Sequence, residues 1–281
     1  MQVTETPDSL SKALDAERVA GRRIGLVPTM GALHAGHLSL VEAARREVDV
    51  VVVSTFVNPL QFDDPSDLAH YPRTFEQDAA LAAEAGVDYL FAPAEEELHP
   101  APVLISVRVG ELGDVLEGAS RPGHFAGVAT VVSKLLALTG RCRAYFGEKD
   151  YQQLVLVRRL VTELHFPVEV VGCPTVREPD GVALSSRNLL LSATERAAAP
   201  VLYRALLAGR ELLEAGERRP DRVGAAMATV VSREPLASLD YAAAVDASDL
   251  RAPERLRGEV RLLVAAWLGT TRLIDNLGAR A

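Results

Sequence analysis

Cysteine is scarce in this chain, which contains only Cys142 and Cys173 among its 281 residues. The two cysteines form no CxxC pair and lack the spacing of a metal site, so we expect neither a structural disulfide nor a cysteine-bound metal. Because free cysteines are typical of reducing compartments, the sequence favours a cytoplasmic location.

Long apolar runs and a surplus of positive charge are also absent. No stretch approaches the roughly 18 apolar residues that a membrane-spanning helix needs, and the first residues lack the apolar segment of a signal peptide. The formal net charge is −8, whereas nucleic-acid-binding proteins normally present a basic face. We therefore expect neither a membrane nor a nucleic acid as a partner, while a small anionic substrate is compatible with locally concentrated positive charge.

Lysine is the third scarce residue, present only as Lys12, Lys134 and Lys149. Most lysines are surface residues. Lys149, however, follows a predicted strand and lies two residues after Gly147, where an ammonium can hold a phosphate as a point charge. We therefore predict a phosphate-binding role for Lys149.

The pattern of apolar runs predicts an α/β fold for the first 175 residues. Short apolar runs alternate with helical periodicity, which is typical of βαβ units around a parallel sheet. The predicted strands are 24–27, 48–56, 88–91, 143–146 and 168–171, and the predicted helices are 38–47, 75–85, 127–138 and 151–164. Ligands of such sheets bind beyond the carboxyl ends of the strands, where we expect loops 28–37, 58–62 and 147–150 to meet.

The sequence changes character near residues 173–179. A Pro-Asp-Gly turn at 179–181 precedes two predicted helices, 193–215 and 222–233, and three predicted strands, 240–245, 259–267 and 271–276. We therefore predict two domains, one of residues 1–175 and a smaller α+β domain of residues 176–281.

Two histidines lie between the first predicted strand and the helix that follows it. His34 and His37 are flanked by Gly31 and Gly36. The first N–H groups of a helix have no partner within the helix and attract anions. Residues three apart share one face of a helix, and a protonated imidazole donates from both ring nitrogens. The segment therefore predicts a phosphate site.

Other interpretations of this segment remain open. The histidines can be solvated, cap the helix or bind a metal, although no further His or Cys cluster accompanies them. Gly31 and Gly36 also match the start of a P-loop, but His37 and Leu38 stand where that motif has its lysine and its Ser or Thr. No GxGxxG motif follows a predicted strand, which argues against a dinucleotide-binding fold of that kind.

Further candidates carry less information when taken alone. Ser185, Ser186 and Arg187 form either a helix N-cap or polar turn, or an anion clamp. Asp78 and Asp150 could hold Mg²⁺ together with phosphate oxygens, although their spacing does not show it.

Taken together, these motifs resemble a known family. Segment 28–37, PTMGALHAGH, is similar to the HxGH signature of nucleotidylyltransferases and class I synthetases. With segments 56–62, 71–74, 124–128, 146–154 and 184–188 in the same order, the chain resembles the pantothenate synthetases. The likeness is specific over residues 21–188 and looser beyond, where it rests chiefly on residues 268–276.

The resemblance implies a Rossmann-like parallel sheet with the HxGH nucleotide site, a C-terminal domain that closes over it, and a homodimer. It implies a ligase that joins pantoate to β-alanine with ATP as co-substrate and Mg²⁺ as the expected metal. Pantoyl adenylate would be the intermediate, and AMP and pyrophosphate would be released.

The same resemblance implies roles for individual residues. His34, His37, Lys149 and Arg187 would be catalytic, with His37 as the proton donor. Gln61 and Gln153 would bind pantoate, and Gln61 would also meet β-alanine. The implied ATP site consists of Met30, Gly31, Ala32, Leu33, His34, Ala35, Gly36, His37, Gly147, Glu148, Lys149, Asp150, Val176, Leu184, Ser185, Ser186 and Arg187.

Two other functions share these motifs. A nucleotidylyltransferase would move AMP onto a phosphate ester and stop there, and its acceptor pocket should favour basic residues over a pair of glutamines. A non-catalytic nucleotide sensor would bind ATP without turnover, but no residue is missing in a way that favours it.

Overall fold

The computed structural model describes the whole chain, Met1 to Ala281. The chain divides into two compact units. The first contains Met1–Glu148 and Gln153–Pro174, and the second contains Lys149–Gln152 and Thr175–Ala281. The predicted roles of residues 1–175 in binding and of residues 176–281 in closure stay predictions.

A six-stranded sheet with the order β1-β4-β3-β2-β5-β6 forms the centre of the first unit, and all neighbouring strands are parallel. The strands are β1 (Gln2–Thr4), β2 (Ile24–Thr29), β3 (Val50–Thr55), β4 (Tyr89–Phe91), β5 (Cys142–Gly147) and β6 (Val168–Cys173). The predicted α/β fold is confirmed. The sequence did not predict β1, because an edge strand of three residues is too short to show a periodic pattern.

Helices connect these strands. They are α1 (Pro7–Val19), α2 (Ala35–Glu47), α3 (Pro65–His70), α4 (Phe75–Glu84), α5 (Glu95–Leu98), α6 (Glu117–Ser120), α7 (His124–Thr139) and α8 (Tyr151–Glu163). Helix α1 was not predicted, although Thr6 and Ser9 form a capping box at its start and Pro7 occupies its first turn. No helix of the chain is long and apolar enough to cross a lipid bilayer.

Strand β3 is buried on both faces, as its run of valines predicts for a central parallel strand. Val51 and Val53 pack in one buried cluster with Leu40, Val41 and Ala44 of α2. Because side chains alternate along a strand, Val50 and Val52 point to the opposite face. This packing joins α2 to the sheet next to the histidine segment.

The loops that carry the predicted site residues start at one edge of this sheet. Thr29 at the end of β2 lies opposite Thr55 at the end of β3. Strand β5 is the parallel neighbour of β2 on its other side, and it ends at Gly147. Three loops therefore leave the sheet at its carboxyl edge, as the sequence predicted.

The second unit has the predicted α+β character. Its elements are α9 (Ala193–Ala198), α10 (Val201–Glu214), α11 (Pro220–Ser232), β7 (Ala237–Asp246), β8 (Glu259–Leu268) and β9 (Thr271–Arg280). The three strands form an antiparallel sheet with β8 in the centre. Leu206 and Leu213 of α10, Met227 of α11, and Leu262 and Val264 of β8 share one buried core.

Three predicted elements of this unit were wrong in extent, including the strand predicted at 240–245, which is β7 (Ala237–Asp246). The helix predicted at 193–215 is two helices, because Pro200 lacks the N–H that a continuous helix needs and its ring clashes with the preceding turn. The strand predicted at 271–276 continues to Arg280, since β9 pairs with β8 over its whole length.

A pair of substitutions on α1 tests the packing of this helix in the first unit. Leu14 is fully buried, whereas Val19 on the same helix is 90% exposed. We expect Leu14→Ala to lower the free energy of unfolding by about 2–5 kcal/mol, because it leaves a cavity. Val19→Ala should change it by less than about 0.5 kcal/mol. Denaturant unfolding followed by circular dichroism measures both, and equal effects would contradict the burial of Leu14.

Candidate active site

The turn between β2 and α2 is shaped by Thr29 and Gly31. The Thr29 hydroxyl donates to the Ser54 carbonyl at 2.6 Å and accepts the Gly31 N–H at 3.1 Å. Gly31 has a φ of +81°, and a Cβ there would lie 3.0 Å from a carboxylate oxygen of Asp78. The positive φ and the nearby Asp78 carboxylate therefore both favour glycine at position 31.

Asp78 holds this loop from helix α4. Its side chain is buried, and its Oδ2 and Oδ1 accept the backbone N–H groups of Ala32 and Leu33 at 2.9 and 2.7 Å. Oδ2 also accepts the Thr74 hydroxyl at 3.2 Å. This geometry gives Asp78 a positioning role in the loop, while its suggested role as a magnesium ligand stays a prediction.

The two histidines cap helix α2. His34 is the N-cap residue, and its Nδ1 accepts the Gly36 N–H at 3.1 Å. The Nδ1 atom of His37 accepts the His34 N–H at 3.3 Å, which completes a capping box. The rings lie side by side, with 4.0 Å between their centroids. The capping interpretation is therefore confirmed, and both imidazoles lie at the same end of the helix.

This geometry determines which ring nitrogen of each histidine can donate to a ligand. A backbone N–H can only donate, so in these two contacts each Nδ1 accepts, and Nε2 is the ring nitrogen available to donate to a ligand. The expectation that these rings bind phosphate stays a prediction. The first turn of α2 contains no acidic residue, so nothing on the helix itself offsets the positive end of its dipole.

Gln61 contacts the histidine loop directly. It ends a 3-10 helix, Pro59–Gln61, and its side chain is buried. The Gln61 Nε2 group donates to the Met30 sulfur at 3.1 Å, and Gln61 Oε1 accepts the Asn58 amide at 2.9 Å. Two predicted site residues, Gln61 and Met30, are thereby brought together.

The backbone of Gln61 is fixed by helix α7 and the residues before it. Its carbonyl accepts His124 Nδ1 at 2.8 Å and Arg121 Nη2 at 3.2 Å. Gly127 lies so close to this segment that a Cβ there would be 2.1 Å from the Leu60 carbonyl oxygen. The sequence analysis did not single out these supporting residues, although the segments 56–62 and 124–128 contributed to the family resemblance.

The remaining predicted residues of the first unit are Gly147, Glu148 and Gln153. Gly147 ends β5 opposite Cys173, Glu148 follows it, and Gln153 lies in the first turns of α8. Their predicted ligand contacts stay predictions.

In the second unit, the serine-rich segment forms a helix start. The Ser185 hydroxyl accepts the Arg187 N–H at 3.3 Å and caps the 3-10 helix Ser186–Leu190. The N-cap interpretation is therefore confirmed, and the anion clamp stays a prediction. Val176 and Leu184 are joined because the Leu184 N–H donates to the Val176 carbonyl at 3.0 Å.

Lys149 is held by strand β9. The Asn276 amide donates to the Lys149 carbonyl at 2.7 Å, and its oxygen accepts Arg261 Nε at 2.7 Å. Asp150 lies beside Lys149, with 3.6 Å between its Oδ1 and the Lys149 ammonium. The backbone of this predicted phosphate-binding residue thus depends on a strand far along the chain.

An ion pair supports the same strand. Arg177 donates to both carboxylate oxygens of Asp275, at 2.6 and 2.9 Å, and to the Asn276 carbonyl at 3.0 Å. Burial raises the pKa of the Asp275 carboxyl, and Arg177 opposes this rise. Segment 268–276 carried the looser part of the family resemblance, and these contacts give it a physical role.

A comparison with family models decides where the chain belongs. A model described as Pantoate-beta-alanine ligase matches residues 2–278. The chain belongs to this family. As a pantoate–β-alanine ligase it is an enzyme of pantothenate biosynthesis.

Relatives match over the full length. A pantothenate synthetase of Moorella thermoacetica is 51% identical over 277 residues, which cover 99% of this chain and 98% of the relative. One of Brucella anthropi is 51% identical over 278 residues, covering 98% and 96% of the two chains.

Solved structures agree with this assignment. The pantothenate synthetase of Thermus thermophilus has a TM-score of 0.92 at 51% identity, with 99% of each chain covered. The ligase of Francisella tularensis, a complex with beta-gamma ATP and beta-alanine, has a TM-score of 0.81 at 36% identity, with 99% of this chain and 97% of that chain covered.

The role of Asp78 in this ligase can be tested with an isosteric change. In Asp78→Asn one oxygen is replaced by an NH₂ group that faces a backbone N–H, so the loop loses an anchor. Since small displacements of a catalytic loop are costly, we expect kcat to fall by about 10- to 100-fold. Initial rates of pantothenate formation measure this effect.

Helix α4 provides the control for this change. Glu76 is exposed on the same helix, and Glu76→Gln should leave kcat within about two-fold of the wild type. A normal kcat for Asp78→Asn would show that the loop does not need the carboxylate.

Proposed function

We propose that this ligase joins (R)-pantoate to β-alanine through a pantoyl adenylate, with consumption of ATP and release of AMP and pyrophosphate. A pantoate carboxylate oxygen attacks the α-phosphorus, and the bond from this phosphorus to the bridging oxygen of pyrophosphate breaks. The β-alanine nitrogen then attacks the acyl carbon, AMP leaves with the carboxylate-derived oxygen, and the nitrogen loses a proton.

The observation that carries this proposal is the capped start of α2. Two imidazole rings lie 4.0 Å apart at the end of a 13-residue helix whose first turn contains no acidic side chain. The helix dipole and the Nε2–H groups of His34 and His37 suit the stabilisation of negative charge as pyrophosphate departs. We assign His37 the role of proton donor in the sense of a hydrogen bond, with its Nε2–H directed to the departing pyrophosphate.

Other residues of the proposed ATP site supply charge and shape. Lys149 and Arg187 provide cations from the second unit, and Ser185 and Ser186 provide hydroxyl donors. Backbone atoms of residues 30–37, 147–150, 176 and 184–187 would enclose the nucleotide.

Gln61 and Gln153 are proposed to hold pantoate, and Gln61 also to meet β-alanine. A neutral amide can orient a hydroxy acid by hydrogen bonds without cancelling the charge of the carboxylate that must attack. Gln61 is suited to this role because its amide contacts Met30 at the start of the histidine loop.

Magnesium is proposed as an ion carried chiefly by the phosphates of ATP. Mg²⁺ keeps several waters and needs only one or two carboxylates. The chain has no group of three or more His, Cys, Asp or Glu side chains that could hold a metal ion, and both oxygens of Asp78 accept loop N–H groups. No step described above depends on a protein-bound metal.

An isotope experiment tests the adenylate. Pantoate labelled with ¹⁸O in its carboxylate is incubated with the enzyme, ATP, Mg²⁺ and β-alanine, and the products are analysed by mass spectrometry. One labelled oxygen should appear in AMP, and sustained AMP release should require all three substrates. Label in inorganic phosphate would contradict the adenylate, and stable transfer of AMP to a phosphate ester without an amide product would indicate a nucleotidylyltransferase.

His37 provides a second test. His37→Ala should lower kcat by about 100-fold or more, the usual effect of losing one preorganised donor at a developing charge. His37→Gln keeps an acceptor for the capping box, so it should restore thermal stability but not the rate. His70 lies on the exposed helix α3, and His70→Ala should retain the wild-type rate. A normal rate for His37→Ala would remove this residue from the chemistry.

A further inference from the structure

A chain of hydrogen-bonded polar side chains, one half-buried and three buried, ends at Gln61. It consists of Lys134, His99, Asn58 and Gln61, which we call the polar relay. Lys134 Nζ lies 3.0 Å from His99 Nδ1, His99 Nε2 lies 2.9 Å from Asn58 Oδ1, and Asn58 Nδ2 lies 2.9 Å from Gln61 Oε1. His99, Asn58 and Gln61 are each less than 10% exposed. None of the proposed chemical steps uses Lys134 or His99.

The relay has a defined direction that starts at Lys134. An ammonium can only donate, so His99 Nδ1 must accept, and the proton of the neutral ring then sits on Nε2. Lys134 also donates to the Leu98 carbonyl, which fixes its position beside the ring. Burial and the charge of Lys134 lower the pKa of His99, which favours the neutral ring.

The next member, Asn58, takes its orientation from both sides. Its Oδ1 accepts His99 Nε2–H and also the Leu60 N–H at 3.3 Å. Its Nδ2 donates to the Gly127 carbonyl at 3.1 Å and to Gln61 Oε1. Because a carbonyl only accepts and a backbone N–H only donates, a flipped Asn58 amide would lose its contacts to Gly127 and Leu60, and it would require both His99 and Gln61 to reverse as well.

The last link sets the amide of Gln61. With Oε1 occupied by Asn58, the NH₂ group faces the Met30 sulfur. A thioether is a weak acceptor, so a carboxylate or hydroxyl oxygen of a ligand would accept from this group more strongly. If the Gln61 amide were reversed, its oxygen would face the ligand oxygen and could not donate to it.

We propose that Lys134 and His99 are positioning residues that fix the Gln61 amide with its N–H groups toward the hydroxy acid. This inference rests on the proposed function, because it takes Gln61 as a pantoate ligand. Lys134 is half-buried, and its ammonium, which can only donate, determines through His99 and Asn58 which end of the Gln61 amide faces the substrate.

The first test measures the protonation state and tautomer of His99. ¹⁵N NMR of histidine-labelled protein near pH 6 should show His99 as a neutral ring with its proton on Nε2, although an ordinary histidine of pKa about 6.5 is mostly protonated there. The His99 signal is identified by its loss in His99→Gln. In Lys134→Met the ring should lose the Nδ1 hydrogen bond and shift toward the other tautomer or the cation. A protonated ring, or a proton on Nδ1 in the wild type, would overturn the proposal.

The second test reads substrate binding. Lys134→Met should raise KM for pantoate by about ten-fold, the effect of losing one well-oriented hydrogen bond, while KM for ATP stays within about two-fold. His99→Gln can accept from Lys134 and donate to Asn58, so it should stay close to the wild type, whereas His99→Leu should resemble Lys134→Met. Lys12→Met, at an exposed lysine on α1, is the matched control and should change neither constant.

The outcomes separate this inference from the proposed function. If Gln61→Ala raises KM for pantoate but Lys134→Met and His99→Leu do not, the relay is overturned and the ligand role of Gln61 stands. If Gln61→Ala leaves KM for pantoate unchanged, the ligand role fails, and the proposal fails with it even where NMR finds the expected tautomer. Equal losses in every kinetic constant for Lys134→Met would indicate general destabilisation and would also overturn it.

Discussion

The candidate active site depends on one buried carboxylate. Asp78 accepts two successive backbone N–H groups of the loop that leaves β2, and one of its oxygens lies only 3.0 Å from where a Cβ on Gly31 would be. The loop therefore cannot relax independently of helix α4. The start of α2 is constrained as well, because Leu33 is followed directly by His34, the N-cap residue of that helix.

A common principle connects the loop with the polar relay. In both places, groups that can only donate or only accept remove the freedom of neighbouring groups that could do either. Backbone N–H groups determine the protonated nitrogen of His34 and His37, and the Lys134 ammonium does the same for His99. Imidazole and amide side chains are versatile in water, but in this fold each has a single hydrogen-bonding sense.

Sequence patterns predicted the architecture well and the site incompletely. The valine run of β3 and the glycine–histidine segment signal a central strand and a helix start, because burial and capping leave local traces. The helix break at Pro200 could have been predicted from the proline, whereas β1 is too short to show a periodic pattern. The ring nitrogen that bears the proton depends on hydrogen-bond geometry, which no local pattern contains. Partners such as Asp78 with Leu33 are 45 positions apart, so their pairing emerges only in three dimensions.

The contact between Asn276 and Lys149 has a consequence for the order of events during synthesis. The two residues are separated by 127 positions, and the Asn276 amide donates a hydrogen bond to the backbone carbonyl of Lys149. All six strands of the parallel sheet are therefore synthesised well before Asn276 is added to the chain. A nascent chain that ends before Asn276 contains all motifs of the proposed nucleotide site but lacks the hydrogen bond that holds the Lys149 backbone, so this part of the proposed site is completed late in translation.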